Sequence, residues 1–389
     1  MTLSLTAARP PIRVLVVDDS AFMRKMVAEI LARDAGLCIV GQARDGADAL
    51  AKLDALQPDV ITLDVEMPVM DGFGALAEIM RRRPTPVLML SSLTQAGADA
   101  TLRCLELGAV DFVGKPSGAI SLDIEKVAAE LIAKVKAAAG VTVLSRLAGS
   151  PPSPRREGLL DGREGRKEDA AARVFPENSS FSAGTPSLRE RGGEPARREK
   201  ISLLVIGAST GGPRALQTLI PALPADLGVP IVIVQHMPPG FTASLARRLE
   251  QTSPFTAREA ADGDRLQPGQ ILVAPGGRHL QFTSGGVVHL TDDPTVHGVR
   301  PAVDVTLASL APLYGPRLLA VLLTGMGRDG ARGLKLTQDR GGQTLAEDET
   351  TCVVYGMPKA AADMGAVGSL LPLPALAPAI ARACGTIRR

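Results

Sequence analysis

Aromatic residues are scarce in this sequence: they make up 3% of its 389 residues, and tryptophan is absent. Proteins that bind single-stranded nucleic acid usually stack the bases on aromatic side chains. The formal net charge of +2 also offers little attraction for nucleic acid or for an anionic membrane surface. We therefore expect no nucleic-acid partner.

Cysteine and long apolar segments are also scarce. The four cysteines, Cys38, Cys104, Cys352 and Cys384, lie far apart and form no C-x-x-C pair. This spacing indicates small core residues in a reducing compartment rather than a disulfide framework. No apolar run approaches the roughly 18 residues that a membrane-spanning helix needs, and the N-terminus is too polar for a signal peptide. We expect a cytoplasmic monomer without membrane insertion.

Short apolar segments alternate with helical patterns through the first third of the chain. The predicted strands are residues 12–17, 38–41, 60–63, 87–90 and 109–113. Residues with helical spacing follow each strand. This alternation favours a doubly wound α/β domain over residues 12–138, in which ligands bind at the carboxyl ends of the strands.

Polar residues stand where these strands end, and they are Asp18, Asp19, Asp64, Ser91 and Lys115. Three carboxylates in one crevice repel each other unless a cation holds them together, and oxygen ligands suit Mg²⁺. A carboxylate beside Mg²⁺ can attack a phosphoryl donor, and the metal and the lysine can offset charge on the phosphoryl oxygens. Alternatively, each Asp caps the helix that follows it. Capping explains any one of these residues well, but it explains less well why all five polar groups stand at strand ends.

The composition changes over residues 140–200. Proline, glycine, serine and interleaved charges of both signs dominate this segment, and apolar residues are few. Such a segment cannot bury enough surface to offset the entropy lost on ordering. We predict a flexible linker and not a nucleic-acid-binding arm, because acidic residues interrupt the basic ones.

A second alternating pattern covers residues 201–386. After the apolar run that begins it, the predicted strands are residues 231–235, 271–274, 318–323, 343–346 and 367–371. Residues 279–283 and 287–291 flank a Ser-Gly-Gly turn, which predicts a β-hairpin. We expect a second α/β domain, mostly parallel, with one antiparallel hairpin.

The first strand of this second domain ends in a glycine-rich turn that carries Ser209. Pro213 suits the start of a helix, so the serine hydroxyl can project while helix N–H groups point toward its target. Two other interpretations remain open on these residues alone. Ser209 could cap the helix, or the glycines could approach a phosphate, although no Lys follows Gly212 as a Walker loop requires.

His236 and Asp329 each follow the carboxyl end of another predicted strand, so they can meet Ser209 at one edge of the sheet. A nucleophilic serine needs a base, and the base needs a carboxylate that fixes its tautomer. Asp304 competes with Asp329 for that role, but it precedes a helix and suits a first-turn position. Among the other histidines, His279 could line a pocket.

Three motifs of the first domain, VLVVDDS, LDVEMPVMDG and DFVGKP, resemble the signature segments of response-regulator receiver domains, which have a flavodoxin-like fold. The resemblance implies that Asp64 is the phosphoacceptor and that Ser91 and Lys115 contact the phosphoryl group. The implied Mg²⁺ ligands are Asp18, Asp19, Asp64 and the backbone carbonyl of Glu66.

The second domain contains GASTGGP, VQHMPPGFT, LVAPGGRHL, RPAVDV and LTGMGRDG in that order. Together they resemble the catalytic domain of the CheB family of chemotaxis protein-glutamate methylesterases. The resemblance implies Ser209 as nucleophile, His236 as base and Asp329 as its partner, with no cofactor in the hydrolase site. Thr210 and the backbone near Met326 are then the expected oxyanion groups.

The resemblance further implies a phosphorylation-activated serine hydrolase. It would demethylate glutamate methyl esters, and deamidate specific glutamines, on methyl-accepting chemotaxis receptors, which gives sensory adaptation. A CheA-type histidine kinase would phosphorylate the receiver, which otherwise covers the hydrolase cleft. Two other classes remain: a regulator whose second domain binds a partner without catalysis, and a nucleotide-binding domain built on residues 207–212.

Overall fold

The computed structural model describes residues 10–92, 94–115, 121–141 and 199–386. The predicted linker therefore lies outside the described residues from 142 to 198. The two sheets and their helices belong to one compact unit.

The first sheet has five parallel strands in the order β2-β1-β3-β4-β5. Its strands are β1 (Ile12–Val17), β2 (Leu37–Ala43), β3 (Val60–Asp64), β4 (Val87–Ser91) and β5 (Asp111–Gly114). Its helices are α1 (Ala21–Leu31), α2 (Gly46–Leu56), α3 (Gly72–Arg82), α4 (Gln95–Leu107) and α5 (Ser121–Ala139). Apolar residues of α1 and α5 pack on one face of the sheet, and those of α2, α3 and α4 pack on the other. The predicted doubly wound receiver fold is confirmed.

Side chains other than the candidate site residues cap the first helices of this domain. Ser20 caps α1, Asp45 caps α2, Asp71 caps α3 and Thr94 caps α4, each accepting a hydrogen bond from a first-turn N–H. Asp64 therefore does not serve as the cap of the helix that follows it, and its carboxylate is available for other contacts.

The second sheet has seven parallel strands in the order β14-β13-β12-β6-β7-β9-β8. Its strands are β6 (Leu203–Ala208), β7 (Ile231–Gln235), β8 (Thr256–Glu259), β9 (Gln270–Val273), β12 (Leu318–Leu322), β13 (Gln343–Glu347) and β14 (Ser369–Leu371). Strands β10 (His279–Phe282) and β11 (Val288–Thr291) form the predicted antiparallel hairpin. The prediction of a mostly parallel α/β domain with one hairpin is confirmed.

The helices of the second domain connect these strands and cover the sheet. They are α6 (Gly212–Leu219), α7 (Phe241–Thr252), α8 (Val303–Tyr314), α9 (Ala331–Asp339), α10 (Met357–Asp363) and α11 (Leu373–Cys384). None of the helices in the described ranges is long and apolar enough to cross a membrane.

Strand β6 lies at the centre of the second sheet, and all six of its residues are buried. Leu204 and Ile206 pack into the apolar cluster on one face, while Leu203 and Val205 pack into the cluster on the other. This is the pattern of a parallel strand covered on both sides. It places the turn after β6 in the middle of the sheet edge, where loops from both neighbouring strands can reach it.

Candidate active site

The register of β6 and β7 brings Ser209 and His236 together. Ala208 pairs with Gln235, so the next residue of each strand enters the same crevice. The His236 N–H donates to the Ala208 carbonyl at 3.1 Å. The buried Gln235 amide donates to the Ser209 carbonyl at 2.9 Å and to the His236 carbonyl at 3.2 Å. Gln235 therefore holds the residues that follow β6 and β7 in place. Its position inside a predicted strand did not indicate this role.

His236 and Asp329 form a hydrogen-bonded pair, with His236 Nε2 at 2.8 Å from Asp329 Oδ2. Asp329 is 2% exposed and also accepts hydrogen bonds from the first N–H groups of α8, those of Val303 at 2.6 Å and Asp304 at 3.0 Å. Burial alone favours the neutral acid, but the bond and charge of His236 together with these two N–H groups lower the pKa of Asp329. The carboxylate is thus fixed, ionised and directed at the imidazole.

Ser209 lies on the turn between β6 and α6, half-buried at the edge of the sheet. The N-cap of α6 is Gly211, so Ser209 does not cap that helix. Gly325 approaches closely, since a Cβ atom built there would lie 2.8 Å from the Ser209 Cβ. Asp329 engages Nε2 of His236, and Nδ1 of the same ring has no hydrogen-bond partner among the described residues.

The sequence predicts oxyanion groups at Thr210 and at the backbone near Met326. Among the hydrogen bonds of the described residues, none uses the N–H of Thr210 or of Met326. The Thr210 hydroxyl is buried and has no partner within the same residues. Thr210 and the backbone near Met326 therefore stay the predicted oxyanion groups.

Two other histidines have hydrogen-bond partners other than Asp329. His279 is the first residue of β10, fully buried, and its Nε2 is 3.1 Å from the Pro294 carbonyl. It contributes to the hairpin instead of lying in a loop that lines a pocket. His297 Nε2 is 3.0 Å from Asp304 Oδ2, and Asp304 lies in the first turn of α8. The competing carboxylate is thus engaged by a different histidine.

The second group of candidate residues meets at the edge of the first sheet. Lys115 Nζ lies 2.8 Å from Asp18 Oδ2 and 2.7 Å from Asp64 Oδ2. Burial, helped by the Asp18 charge and opposed by Lys115, raises the pKa of Asp64. Burial disfavours the charged form of Lys115, but its two carboxylate partners more than compensate and raise its pKa.

The residues at this edge fit a divalent cation. Carboxylate oxygens of Asp18, Asp19 and Asp64 lie within 4.8 Å of one another. Asp19, Asp64 and Glu66 line a cavity of about 260 Å³. An all-oxygen donor set next to open space suits Mg²⁺, which keeps several waters when bound.

Ser91 faces away from this cavity. Its side chain is fully buried, and its hydroxyl lies 2.7 Å from the Thr101 hydroxyl and 3.2 Å from the Gly97 carbonyl. The serine that lines the cavity is Ser92, which the sequence did not single out. In this conformation the Ser91 hydroxyl bonds Thr101, and its role toward a phosphoryl group at Asp64 stays a prediction.

Comparison with known proteins matches each of the two domains to a known family. The CheB methylesterase family matches residues 204–380, and the response regulator receiver domain family matches residues 14–125. A protein-glutamate methylesterase/protein-glutamine glutaminase of Symbiobacterium thermophilum is 52% identical over 96% of this chain and 98% of its own. The chain belongs to the CheB methylesterase family.

The chain is also similar to a second relative and to a solved catalytic domain. A protein of the same description from Desulfitobacterium hafniense is 44% identical over 94% of this chain and 95% of its own. The crystal structure of the Thermotoga maritima CheB methylesterase catalytic domain is 45% identical, covers 47% of this chain and 99% of its own, and has a TM-score of 0.46.

In this CheB family member the receiver packs against helices that follow the candidate catalytic residues. Helix α4 contacts α6, which follows the Ser209 turn, and α7, which follows the His236 loop. Phe112 of β5 stacks on Phe241 at the start of α7, with ring centroids 4.6 Å apart. The interface therefore lies one loop away from both Ser209 and His236.

Two ion pairs flank this apolar contact. Arg247 Nη2 lies 3.0 Å from Asp99 Oδ1. The Arg248 guanidinium forms a bidentate ion pair with the Glu106 carboxylate. Both arginines belong to α7 and both acids to α4. A bidentate pair fixes the orientation of the two side chains as well as their distance. These contacts therefore set the position of α4 along α7.

A third contact connects the receiver to the nucleophile turn itself. Val353, from the loop before α10, packs against an apolar cluster of receiver residues. The same side chain lies against Gly211, where an added Cβ atom would be 2.5 Å from the Val353 Cβ. The receiver and the nucleophile turn thus share one apolar neighbour.

Proposed function

We propose that this chain is a protein-glutamate methylesterase and protein-glutamine deamidase that acts on methyl-accepting chemotaxis receptors and gives sensory adaptation. The observation that carries the proposal is the His236–Asp329 pair at 2.8 Å, next to Ser209 at the shared edge of β6 and β7. Membership of the CheB methylesterase family supports the substrate class. The chain would act in the cytoplasm as a monomer.

The proposed chemistry begins with Ser209. His236 Nδ1 accepts the hydroxyl proton as the oxygen attacks the carbonyl carbon of a γ-glutamyl methyl ester. Asp329 stabilises the imidazolium that forms. The N–H groups of Thr210 and Met326 hold the negative oxygen of the tetrahedral intermediate.

The second half of the cycle regenerates the enzyme. His236 returns its proton to the leaving oxygen, so methanol departs and an acyl-enzyme ester remains on Ser209. Water, activated by the same imidazole, then hydrolyses that ester and leaves a glutamate. A glutamine side chain can follow the same course, with ammonia in place of methanol. None of these steps needs a cofactor in the hydrolase site.

The proposed regulation starts at Asp64. A CheA-type histidine kinase would supply the phosphoryl group, with Asp18, Asp19, Asp64 and the Glu66 carbonyl as the ligands of Mg²⁺. The metal ion, when bound, would offset the negative charge of the phosphoryl oxygens. Lys115, which already contacts the Asp64 carboxylate at 2.7 Å, would contact the phosphoryl group, as would Ser91 after its hydroxyl leaves Thr101.

Phosphorylation would then shift the receiver away from the hydrolase domain. The docked arrangement places α4 over α6 and α7, so a receptor helix would compete with the receiver for the approach to Ser209. The proposed domains are residues 12–138 for the receiver and 201–386 for the hydrolase, joined by the linker of residues 140–200. Ligand or covalent switches of this kind act by changing the populations of two states.

A receptor-based assay tests the proposal. Membranes that carry methylated receptor are incubated with the full chain, with and without acetyl phosphate and Mg²⁺, and released methanol is measured. We expect release that acetyl phosphate increases, and ammonia release from receptor that retains its glutamines. If the chain releases methanol from neither methylated receptor nor its isolated methylated helix, the proposed function is wrong.

A further inference from the structure

Thr324 lies just beyond β12, beside the nucleophile turn, and the catalytic scheme above leaves it without a role. It is 1% exposed, and every polar group that it carries has a partner. Its N–H donates to Glu347 Oε2 at 2.9 Å, and its carbonyl accepts from the Ser209 N–H at 3.0 Å. The hydroxyl lies 3.0 Å from the Thr210 carbonyl, to which it donates.

The same hydroxyl also binds the loop that precedes α10. It accepts a hydrogen bond from the Val354 N–H at 3.0 Å, and the Val354 carbonyl is 3.3 Å away. One side chain therefore joins the nucleophile turn to a second loop. Because Gly325 and Met326 follow directly in the chain, the position of Thr324 also sets the position of the Met326 N–H.

We propose that Thr324 is a positioning residue: its hydroxyl holds the Ser209–Thr210 turn at the distance from the Met326 N–H that an oxyanion requires. This inference rests on the proposed function. Thr324 is too deeply buried to touch a substrate, so it acts only through Ser209, Thr210 and Met326. The chemistry that it serves is the tetrahedral step, in which nucleophile and oxyanion donors must be correct at the same moment.

A valine at this position has nearly the shape of threonine but lacks the hydroxyl. In Thr324→Val the Thr210 carbonyl and the Val354 N–H lose their partner inside a buried site, and the two loops can separate. Thr324→Ser keeps the hydroxyl and removes only a methyl group. The pair of variants therefore separates the hydrogen bonds from the packing.

The chain offers a matched control in Thr344 of the neighbouring strand β13. Thr344 is 3% exposed, and its hydroxyl accepts from the Gly368 N–H at 2.9 Å, which tethers a distant loop. Thr344→Val therefore makes the same chemical change at similar burial, away from Ser209. It reports the cost of losing one buried threonine hydroxyl in this sheet.

The experiment measures kcat and KM for methanol release from methylated receptor, with the full chain and saturating acetyl phosphate and Mg²⁺. We expect Thr324→Val to lower kcat by about 10²-fold, the loss that a misplacement of about 1 Å can cause, with little change in KM. Thr324→Ser should recover most of the rate. Thr344→Val should keep the wild-type kcat.

Two results would overturn the inference: a kcat of Thr324→Val equal to that of Thr344→Val, or a Thr324→Ser variant as slow as Thr324→Val. If Thr324→Val does not fold, Thr324→Cys decides, because a thiol is a weak hydrogen-bonding group of similar size. Its kcat should fall about tenfold below that of Thr324→Ser, and equal rates would overturn the inference. A wild-type chain without methanol release would contradict the proposed function instead.

Discussion

Reversing one charge at the interface between α4 and α7 should activate the unphosphorylated enzyme. Glu106 of α4 forms the bidentate pair with Arg248. The Glu106 side chain is 29% exposed and the Arg248 side chain is 34% exposed. Glu106→Arg replaces this attraction with repulsion between two guanidinium groups. The neighbouring pair of Arg247 with Asp99 and the stack of Phe112 on Phe241 remain in place.

The change in docking free energy caused by Glu106→Arg can be estimated from the exposure of the ion pair. Exposed ion pairs contribute about 0.2–1 kcal/mol, and bidentate geometry favours the upper end of that range. Losing the pair and adding a repulsion of similar size amounts to roughly 2 kcal/mol, or about thirtyfold in the docking equilibrium. The unphosphorylated rate should rise by up to that factor, with the rate of the phosphorylated wild type as its ceiling.

The assay is the initial rate of methanol release without a phosphodonor, at low and at moderate salt. Arg248→Glu should be activated in the same way, and the double variant Glu106→Arg with Arg248→Glu should return toward the wild-type rate. Glu78→Arg is the matched control, because Glu78 pairs with Arg81 and Arg82 of its own helix. An unchanged rate in Glu106→Arg, with normal stimulation by acetyl phosphate, would refute the idea that docking inhibits the enzyme.

Three further predictions follow from the two sites and the core beside them. Asp64→Asn should abolish labelling by acetyl phosphate, as should removal of Mg²⁺ from the wild type, and mass spectrometry that finds the phosphoryl group elsewhere would contradict this. Asp329→Asn should reduce kcat by about 10⁴-fold, the loss that follows when the histidine of a serine hydrolase takes the wrong tautomer; a loss below tenfold would argue against the triad. Burial raises the pKa of Glu347, so the folded protein holds this proton more tightly than the unfolded chain does. The free energy of unfolding therefore decreases as pH rises above about 4.3, the pKa of a glutamate in the unfolded chain. Urea denaturation should therefore show Glu347→Gln gaining stability relative to wild type as pH increases, and a constant difference between about pH 4 and pH 8 would contradict the assignment.

The meeting of Ser209 and His236 at one sheet edge could be predicted because their positions follow from strand ends. Ser209 and His236 each come directly after a buried apolar strand, and parallel strands present their carboxyl ends at one edge. The sequence does not state that β6 lies between β7 and β12. That order depends on contacts between segments more than 100 residues apart, such as the pairing of Leu204 with Leu319.

The direction of side chains at the strand ends could not be predicted. Ser91 and Ser92 are identical neighbours in the sequence, and successive side chains of a strand point to opposite faces. The residue at which β4 ends therefore decides which of the two hydroxyls lines the cavity. In this structure the serine that lines it is Ser92. The same limit applies to Gln235 and Thr324, whose side chains bind the carbonyls of Ser209 and Thr210 on a distant turn.

Strand β8 was missed for another reason. Its four residues, Thr256–Glu259, are mostly polar, and only Ala257 is buried. An edge strand of this kind carries little apolar signal, because solvent covers most of it. Its pairing with β9 becomes visible only once the fold is known.

The most direct test of the account is methanol release from methylated receptor by Ser209→Ala, measured beside Ser202→Ala. Ser202 lies just before β6, and its hydroxyl has no hydrogen-bond partner in the described residues, so its loss should leave the rate unchanged. We predict that Ser209→Ala folds as the wild type does, still accepts a phosphoryl group at Asp64, and releases essentially no methanol. Substantial methanol release by Ser209→Ala would contradict the assignment of the nucleophile, and with it the mechanism built on His236 and Asp329.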